Sequence, residues 1–323
     1  MIDEHHILIV NKMHRSIGVM LREIGWRTDY RPTIKREEIL EILPKYQGLI
    51  IRSKTIIDQE LIDRGSNLKF VARAGAGLDQ IDISALEKQN IHLINAPEGN
   101  RSSLGEHTLG LLLSLLHNLH KASNEIKTGL WNREGNRGIE LGGKTVGIYG
   151  YGYMGSAFAE KLIGFGCRVI AFDKYKEEFG DRHVQEVSLQ HFEHETEILS
   201  IHVPLTSETR DRFSGDYLRS YDKLKFVLNT ARGEVLSLQG VLELLKEGKL
   251  LGVGLDVLEN ENLETLSAEE RKVFESLAQR HDVIMTPHVG GWTHESYLRI
   301  NEVIIMKMIE KGLSINVART SKN

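Results

Sequence analysis

From Ile7 to Ile94 short apolar runs alternate with amphipathic ones. Ile7 to Val10, Leu49 to Ile51, Phe70 to Ala72 and His92 to Ile94 read as strands, while Ser16 to Ile24, Arg36 to Leu43, Gln59 to Arg64 and Ile83 to Gln89 have helical spacing. A second series begins near Lys144. Its strands are predicted at Thr145 to Tyr149, Arg168 to Phe172, Ile198 to His202, Phe226 to Asn229, Leu251 to Leu255 and Val283 to Met285. Strands alternating with helices imply parallel sheets flanked by helices, so the fold class is α/β with two doubly wound units. Between the series, Ser103 to Ser123 is predicted as one long helix. Its Leu104, Leu109, Leu111, Leu112, Leu115, Leu116 and Leu119 cover more than one face, which predicts burial on several sides. A last helix, His294 to Lys311, is expected to fold back onto the first unit and make it discontinuous.

Two strand ends change the picture from architecture to ligand. Gly150-Tyr151-Gly152-Tyr153-Met154-Gly155 follows the run ending at Tyr149, and Asp173 closes the next run. Glycine spacing of this kind at a strand-to-helix turn, with an acidic residue about 20 positions on, is the pattern of a dinucleotide site. Gly150 permits the tight turn, Gly152 lets backbone N–H groups of Tyr153 and Met154 approach a pyrophosphate, and Gly155 lets the helix press on the sheet. The phosphates meet the positive end of a helix dipole. Asp173 can accept the adenosine-ribose hydroxyls and repels the extra phosphate of NADP. NAD is the expected cofactor, with Lys174 and Lys176 as cations that can offset that repulsion.

Composition narrows the partners. The 323 residues fit two domains at about 150 each, and a net charge of −4 without a long basic block gives no footprint for nucleic acid. The single cysteine, Cys167, excludes an intrachain disulfide and points to a reducing, cytoplasmic compartment, where it reads as a small buried hydrophobe. Asp3, Glu4, His5 and His6 do not read as a secretory leader, and the apolar stretch Leu109 to Leu116 is too short for a membrane span. No histidine has the spacing of a metal cage. A metabolite-sized ligand is expected.

Three further strand ends carry candidate chemistry. Asn229-Thr230-Ala231-Arg232-Gly233 follows one, Asp256 closes the next with Glu259 and Glu261 shortly after, and the last ends in Thr286-Pro287-His288, followed by Val289-Gly290-Gly291-Trp292. Ligands of open α/β sheets bind beyond the carboxyl ends of strands. An arginine, one or two carboxylates and a histidine thus converge on one rim.

With these motifs the chain resembles the D-isomer-specific 2-hydroxyacid dehydrogenase family, whose members include phosphoglycerate dehydrogenases. The resemblance runs from Leu49-Ile50-Ile51-Arg52-Ser53 through Val71-Ala72-Arg73-Ala74-Gly75-Ala76-Gly77-Leu78-Asp79 and Asn95-Ala96-Pro97-Glu98-Gly99-Asn100 to Thr286-Pro287-His288. It implies a Rossmann-type NAD-binding domain over 101–292, a flavodoxin-like substrate domain from 1–100 with 293–323, and a catalytic trio of Arg232, Glu261 and His288. His288 is then the proton donor to a 2-oxo acid, or the acceptor in the oxidative direction; Glu261 tunes it and Arg232 grips the substrate carboxylate. The resemblance also implies that His202, Val203 and Pro204 line the adenine side. Thr230, Ala231, Asp256, Gly290 and Gly291 would hold the nicotinamide end.

Gly75, Ala76 and Gly77 are implied to meet the substrate carboxylate, with Arg52, Ser53 and Asn100 toward its distal group, where an arginine suits a phosphate or second carboxylate. Homodimers form in the family through the region of Leu104 to His120. Two departures stand out: Asn262 replaces the proline that commonly follows the glutamate, predicting a looser loop, and Trp292 stands where small residues are common. The alternatives to a D-2-hydroxyacid dehydrogenase are a D-3-phosphoglycerate dehydrogenase without a regulatory domain and an NAD(H)-sensing scaffold like the corepressor branch.

Overall fold

The computed structural model describes residues 5–315. Asp3 and Glu4, used above to argue against a leader, lie outside the described residues. In chain order the elements begin with β1 (His6–Ile9), α1 (Ser16–Glu23), β2 (Arg27–Tyr30), α2 (Arg36–Ile42), β3 (Gly48–Ile51), α3 (Gln59–Arg64), β4 (Phe70–Arg73), α4 (Ile83–Lys88) and β5 (His92–Asn95). Next come α5 (Pro97–Leu116), α6 (Leu119–Lys127), β6 (Thr145–Tyr149), α7 (Tyr153–Lys161), β7 (Arg168–Phe172), β8 (Val184–Glu186), α8 (Leu189–Glu195) and β9 (Ile198–Ile201). The chain continues with α9 (Gly215–Arg219), β10 (Phe226–Asn229), α10 (Leu238–Lys246), β11 (Gly252–Leu255), α11 (Ala268–Ala278), β12 (Val283–Met285) and α12 (His294–Glu310).

These elements form two compact units. One draws on the chain up to Asn100 and from Trp292 onward; the other is Arg101–Gly291. In the first, five parallel strands run in the order β2-β1-β3-β4-β5, the flavodoxin-like order with its switch point between β1 and β3. Side chains alternate between the two faces, as the pleat dictates. Ile7, Ile9, Ile50, Ala72 and Ile94 pack with Ile17 and Leu21 of α1 and with Ile300, Ile304 and Met308 of α12. Leu8, Leu49, Ile51 and Val71 pack on the other side with Ile39, Leu61, Ile62 and Leu86. Helix α12 therefore completes the first core, and a side chain on Gly99 would lie 2.7 Å from the Ile300 backbone, so only glycine allows the start of α5 so close to α12.

The second unit holds seven parallel strands in the order β12-β11-β10-β9-β6-β7-β8. Counted from β6, this is the Rossmann order with one strand added, and its switch point lies between β6 and β9. One face of the sheet meets Phe192, Leu218, Val241 and Leu277 of α8 to α11; the other meets Leu111, Leu112, Leu115 and Leu116 of α5 and Phe158 of α7. Side-chain caps fix where several helices start: Asp58, Asp82, Ser188, Ser214, Ser237, Ser267 and Thr293 each accept a backbone N–H from the first turn.

Two expectations are corrected. The stretch Ser103 to Ser123 is not one helix: α5 begins earlier, at Pro97, and ends at Leu116, and Asn118 adopts φ 52°, a left-handed conformation that asparagine tolerates and that α-helix cannot continue through. The burial expected of the α5 leucines is found for Leu111, Leu112, Leu115 and Leu116, which pack inside the second unit, while Leu119 beyond the break is exposed. Two strands were not anticipated, β2 (RTDY) and β8 (VQE). Each is an edge strand, so it pairs on one side only and needs no continuous apolar run.

Candidate active site

The glycine turn after β6 has the geometry that a dinucleotide requires. Gly150 has φ 94°, and a Cβ there would lie 2.7 Å from the His202 carbonyl oxygen; one on Gly155 would lie 2.1 Å from the Gly150 carbonyl oxygen. Nothing lies within 4 Å of the position a Cβ on Gly152 would take. Open space therefore stands over the residue that precedes α7, whose start has no side-chain cap. Tyr153 and Met154 form the first turn of α7, Tyr153 on its exposed side. At the end of β7, Asp173 accepts hydrogen bonds from the N–H of Tyr151 at 2.8 Å and of Tyr175 at 2.9 Å. The carboxylate is thus held against the glycine turn.

Both neighbouring cations are engaged. Lys174 pairs with Glu208 at 2.6 Å, and Lys176 donates to the Tyr151 carbonyl at 2.9 Å. After β9, Val203 borders Gly150, and the Pro204 carbonyl accepts from the Thr209 hydroxyl at 2.6 Å. His202 turns inward: its Nε2 meets the Ser200 hydroxyl at 2.8 Å, its Nδ1 is shut off from solvent without a partner, and burial pushes its pKa down to about 3. Its ring is neutral, and the side of the residue nearest the glycine turn is its carbonyl.

The adjacent strands β10, β11 and β12 deliver the three other motifs from neighbouring carboxyl ends. After β10, the Asn229 amide donates to the Arg232 carbonyl at 2.9 Å while its oxygen accepts from the Ala231 N–H at 3.1 Å, which shapes the turn carrying Arg232. Arg232 donates to the Ala231 carbonyl at 2.6 Å. A Cβ on Gly233 would sit 1.8 Å from the Leu258 carbonyl oxygen, so the arginine loop lies directly on the loop that follows β11.

That loop holds two carboxylates with different tasks. Glu259 accepts from the Leu238 N–H at 2.8 Å, at the start of α10, and burial raises its pKa. Glu261 faces His288 instead, with 2.9 Å and 3.1 Å from Nδ1 to its two oxygens. Because a carboxylate only accepts, Nδ1 carries the hydrogen. Nε2 has no protein partner among the described residues and is the position left to exchange a proton. The loop at Asn262 carries hydrogen bonds of its own. The Asn260 side chain accepts from the Asn262 N–H, the Asn262 side chain accepts from the Glu264 N–H, and Thr265 closes on the Asn262 carbonyl at 3.0 Å through both its N–H and its hydroxyl. Side-chain hydrogen bonds replace the stiffness of the proline.

Asp256 and Thr230, expected at the nicotinamide end, are turned into the protein. Asp256 is 2% exposed and accepts from the Thr286 hydroxyl at 2.6 Å and from the N–H groups of Val289 at 2.9 Å and Gly290 at 2.7 Å. Burial alone would raise its pKa, but hydrogen bonds from His107, Thr286, Val289 and Gly290 hold it below the usual carboxylate value. Thr230 is buried with its hydroxyl 3.2 Å from that of Thr108. Gly291, next in the loop, is half-buried. The sequence reading missed a polar stripe on α5: the Ser103 hydroxyl donates to the Gly290 carbonyl at 2.9 Å, and His107 Nε2 lies 3.0 Å from the Thr286 hydroxyl and 3.3 Å from Asp256. Its only signal was a set of polar residues, Ser103, His107 and Thr108, interrupting a leucine-rich helix.

The first unit carries its candidates at the carboxyl ends of β3 and β4. Arg52 stands at the switch point. Its N–H donates to the Asn11 side chain at 2.8 Å, and its guanidinium lies 4.1 Å from the centre of the Trp292 ring and 5.3 Å from that of Tyr297, near enough for cation–π attraction. No carboxylate among the described residues pairs with it. Burial lowers the Arg52 pKa. Ser53 beside it is exposed. Gly75 has φ 141°, a conformation that residues with a side chain rarely adopt, and the N–H groups of Ala76 and Gly77 have no hydrogen-bond acceptor among the described residues. Asn100 keeps a buried side-chain oxygen without a partner. No group of three or more His, Cys, Asp or Glu among the described residues could hold a metal ion, and none of their helices is long and apolar enough to cross a membrane.

Comparison with known proteins gives this geometry its setting. The sequence model described as D-isomer specific 2-hydroxyacid dehydrogenase, NAD binding domain, matches residues 109–290. The chain is 33% identical to the hydroxypyruvate reductase of Thermotoga maritima over 278 residues, 86% of this chain and 89% of that one. It is 31% identical to the D-3-phosphoglycerate dehydrogenase of Archaeoglobus fulgidus over 316 residues, 97% of this chain, but spans only 58% of the length of that relative. The crystal structure of D-lactate dehydrogenase from Aquifex aeolicus, complexed with NAD and lactic acid, superposes with a TM-score of 0.79 at 25% identity, covering 95% of this chain and 96% of that one. On its glycine turn, its strand orders and these matches, the chain belongs to the D-isomer-specific 2-hydroxyacid dehydrogenases, a family of NAD-binding oxidoreductases.

Proposed function

We propose that the chain interconverts a D-2-hydroxy acid and its 2-oxo acid with His288 as the proton-exchanging group. The observation that carries this reading is the His288–Glu261 pair at 2.9 Å, which fixes the imidazole through Nδ1 and leaves Nε2 for the substrate oxygen. NAD, when bound, exchanges a hydride with C2 of the acid. Around it the residues divide the work: His288 Nε2 gives a proton to the carbonyl oxygen in reduction and takes it back in oxidation, Glu261 stabilises the protonated ring, and Arg232 grips the carboxylate and polarises the carbonyl. In the first unit taken by itself, the N–H groups of Ala76 and Gly77, unpaired among the described residues, and the guanidinium of Arg52 offer an edge suited to anions, which we assign to substrate together with Ser53, Gly75 and Asn100.

NAD is preferred to NADP in this reading. Asp173 stands at the end of β7, while Lys174 and Lys176 already have partners and do not offset its charge for a second phosphate. Gly150, Gly152, Tyr153, Met154 and Gly155 would hold the pyrophosphate, with Val203 and Pro204 on the adenine side. Arg52, which has no carboxylate partner among the described residues, favours an acid with a distal anionic group. A phosphoglycerate-type substrate is therefore the second reading, beside the hydroxypyruvate named for the Thermotoga relative. The free, half-buried Cys167 agrees with a reducing cytoplasmic setting.

The test is NADH and NADPH consumption over a panel of 2-oxo acids with and without a distal charge. NADH-dependent turnover is expected, falling by about 10²- to 10⁴-fold in His288→Gln with NADH affinity unchanged. Tight NADH binding without turnover on any acid would favour the scaffold reading, and full activity of the variant would remove His288 from its role.

A further inference from the structure

His288 sits in a conformation that the chain must enforce. Its φ of 54° lies in the left-handed region, which is strained for a residue with a side chain and persists only where the surroundings over-determine it. Beside the Thr286 carbonyl, which the His288 N–H meets at 3.0 Å, one aspartate makes most of the contacts that hold it. The Thr286 hydroxyl, two residues before His288, bonds to the Asp256 carboxylate; the His288 N–H bonds to the Asp256 carbonyl at 2.8 Å; the N–H groups of Val289 and Gly290, just after, return to the carboxylate. Asp256 thus ties residues on both sides of His288 to one carboxylate.

The carboxylate is in turn reached from α5. His107 Nε2 lies 3.3 Å from Asp256 Oδ1 and 3.0 Å from Thr286 Oγ1. The hydrogen of Thr286 is committed to Asp256 at 2.6 Å, so its oxygen can only accept from His107, and the carboxylate can only accept as well. Nε2 must therefore carry a hydrogen and donate to both. Four residues earlier, on the same face of the helix, Ser103 donates to the Gly290 carbonyl at 2.9 Å. A side chain on Gly290 would meet Asp256 at 2.9 Å and the His107 ring at 3.3 Å, so the packing leaves no slack.

We propose that His107 is a positioning residue of the reaction: its Nε2–H fixes Asp256 and Thr286, and through them the angle at which His288 presents its proton. This rests on the acid/base role of His288 proposed above. It follows that the N–H at the Nε2 position, and not the imidazole as such, is what the site requires.

The experiment compares His107→Leu, His107→Asn and His107→Gln under steady-state conditions with the best substrate of the panel. Gln carries an N–H at about the reach of Nε2, whereas Asn places one near Nδ1 and Leu has none. A misplacement of about 1 Å costs on the order of a hundredfold in rate, so kcat is expected to fall between about tenfold and a hundredfold in Leu and Asn, with KM and NADH affinity little changed, and to return in Gln. Wild-type kcat in Leu or Asn, or an equal loss in Gln and Asn, overturns the proposal, as does a loss confined to KM. If Leu fails to fold, the contrast between Gln and Asn decides. His288→Gln, run alongside, separates the two readings: its full activity refutes the proton-donor role, whereas its loss beside an unaffected His107→Leu refutes only this inference.

Discussion

Burial strips His202 of its charge, and the consequence is measurable. An unfolded histidine takes a proton below about pH 6.5, whereas the native ring, with its pKa pushed down to about 3, stays neutral. The unfolded chain therefore binds more protons in this window, so the contribution of His202 to stability is complete above about 6.5 and is lost as pH falls toward 3. Between pH 7 and pH 5 the wild type should lose about 2 kcal/mol more than His202→Gln, at about 1.4 kcal/mol per pH unit, in urea unfolding. An equal loss in both proteins would mean that the ring titrates normally. At the same scale, Glu259 and Glu261 could not be told apart by residue type or by distance along the chain. The resemblance selected Glu261, and the difference became physical only with the coordinates, where one carboxylate sits at the start of α10 and the other faces an imidazole.

At the scale of elements, the glycines of the dinucleotide turn make separable claims. A methyl group on Gly155 would collide with the Gly150 carbonyl and with Ile148, so α7 must back away from the sheet. Gly155→Ala is expected to lose about 1–3 kcal/mol of stability, and NADH affinity with it. Gly152→Ala meets empty space and should keep its thermal midpoint while weakening NADH binding by calorimetry, because the methyl stands where a pyrophosphate approaches. Loss of stability in both variants would show that the turn tolerates no side chain for reasons of folding alone. The same elements show what a sequence reveals. Central strands such as Thr145–Tyr149 and Phe226–Asn229 are buried on both faces and read as apolar runs; the edge strands β2 and β8 do not. The end of α5 was hidden because His117 and Asn118 are not helix breakers by type, and only the left-handed φ of Asn118 ends the run. Ser103, His107 and Thr108 were masked by the leucines between which they lie.

At the scale of the molecule, one stretch of exposed apolar side chains suits contact with a second copy. Leu119 and Ile126, two turns apart on α6, are 56% and 53% exposed, and Leu130 and Trp131 beyond it are 51% and 84% exposed. Large apolar side chains in such a group indicate an interface. We infer a homodimer that uses this stretch rather than the buried leucines of α5. Light scattering should give twice the chain mass for the wild type and a monomer for a Trp131→Glu, Ile126→Glu double variant; a dimer that survives both changes would place the interface elsewhere. The overall α/β plan was legible because two series of alternating elements each close their own sheet. The discontinuity of the first unit was legible because α12 has the apolar spacing of a core helix.

That discontinuity sets an order of events during synthesis. Ile300, Ile304 and Met308 of α12 cover the same sheet face as Ile7 and Ile9, yet the ribosome makes them after every residue of the second unit. At about 5–20 residues per second, the earliest strands wait roughly ten seconds or more for the helix that covers them. The second unit, drawn from one uninterrupted segment, has all its residues once Gly291 is made, before α12 exists, so the newborn chain can complete its middle fold before its first one.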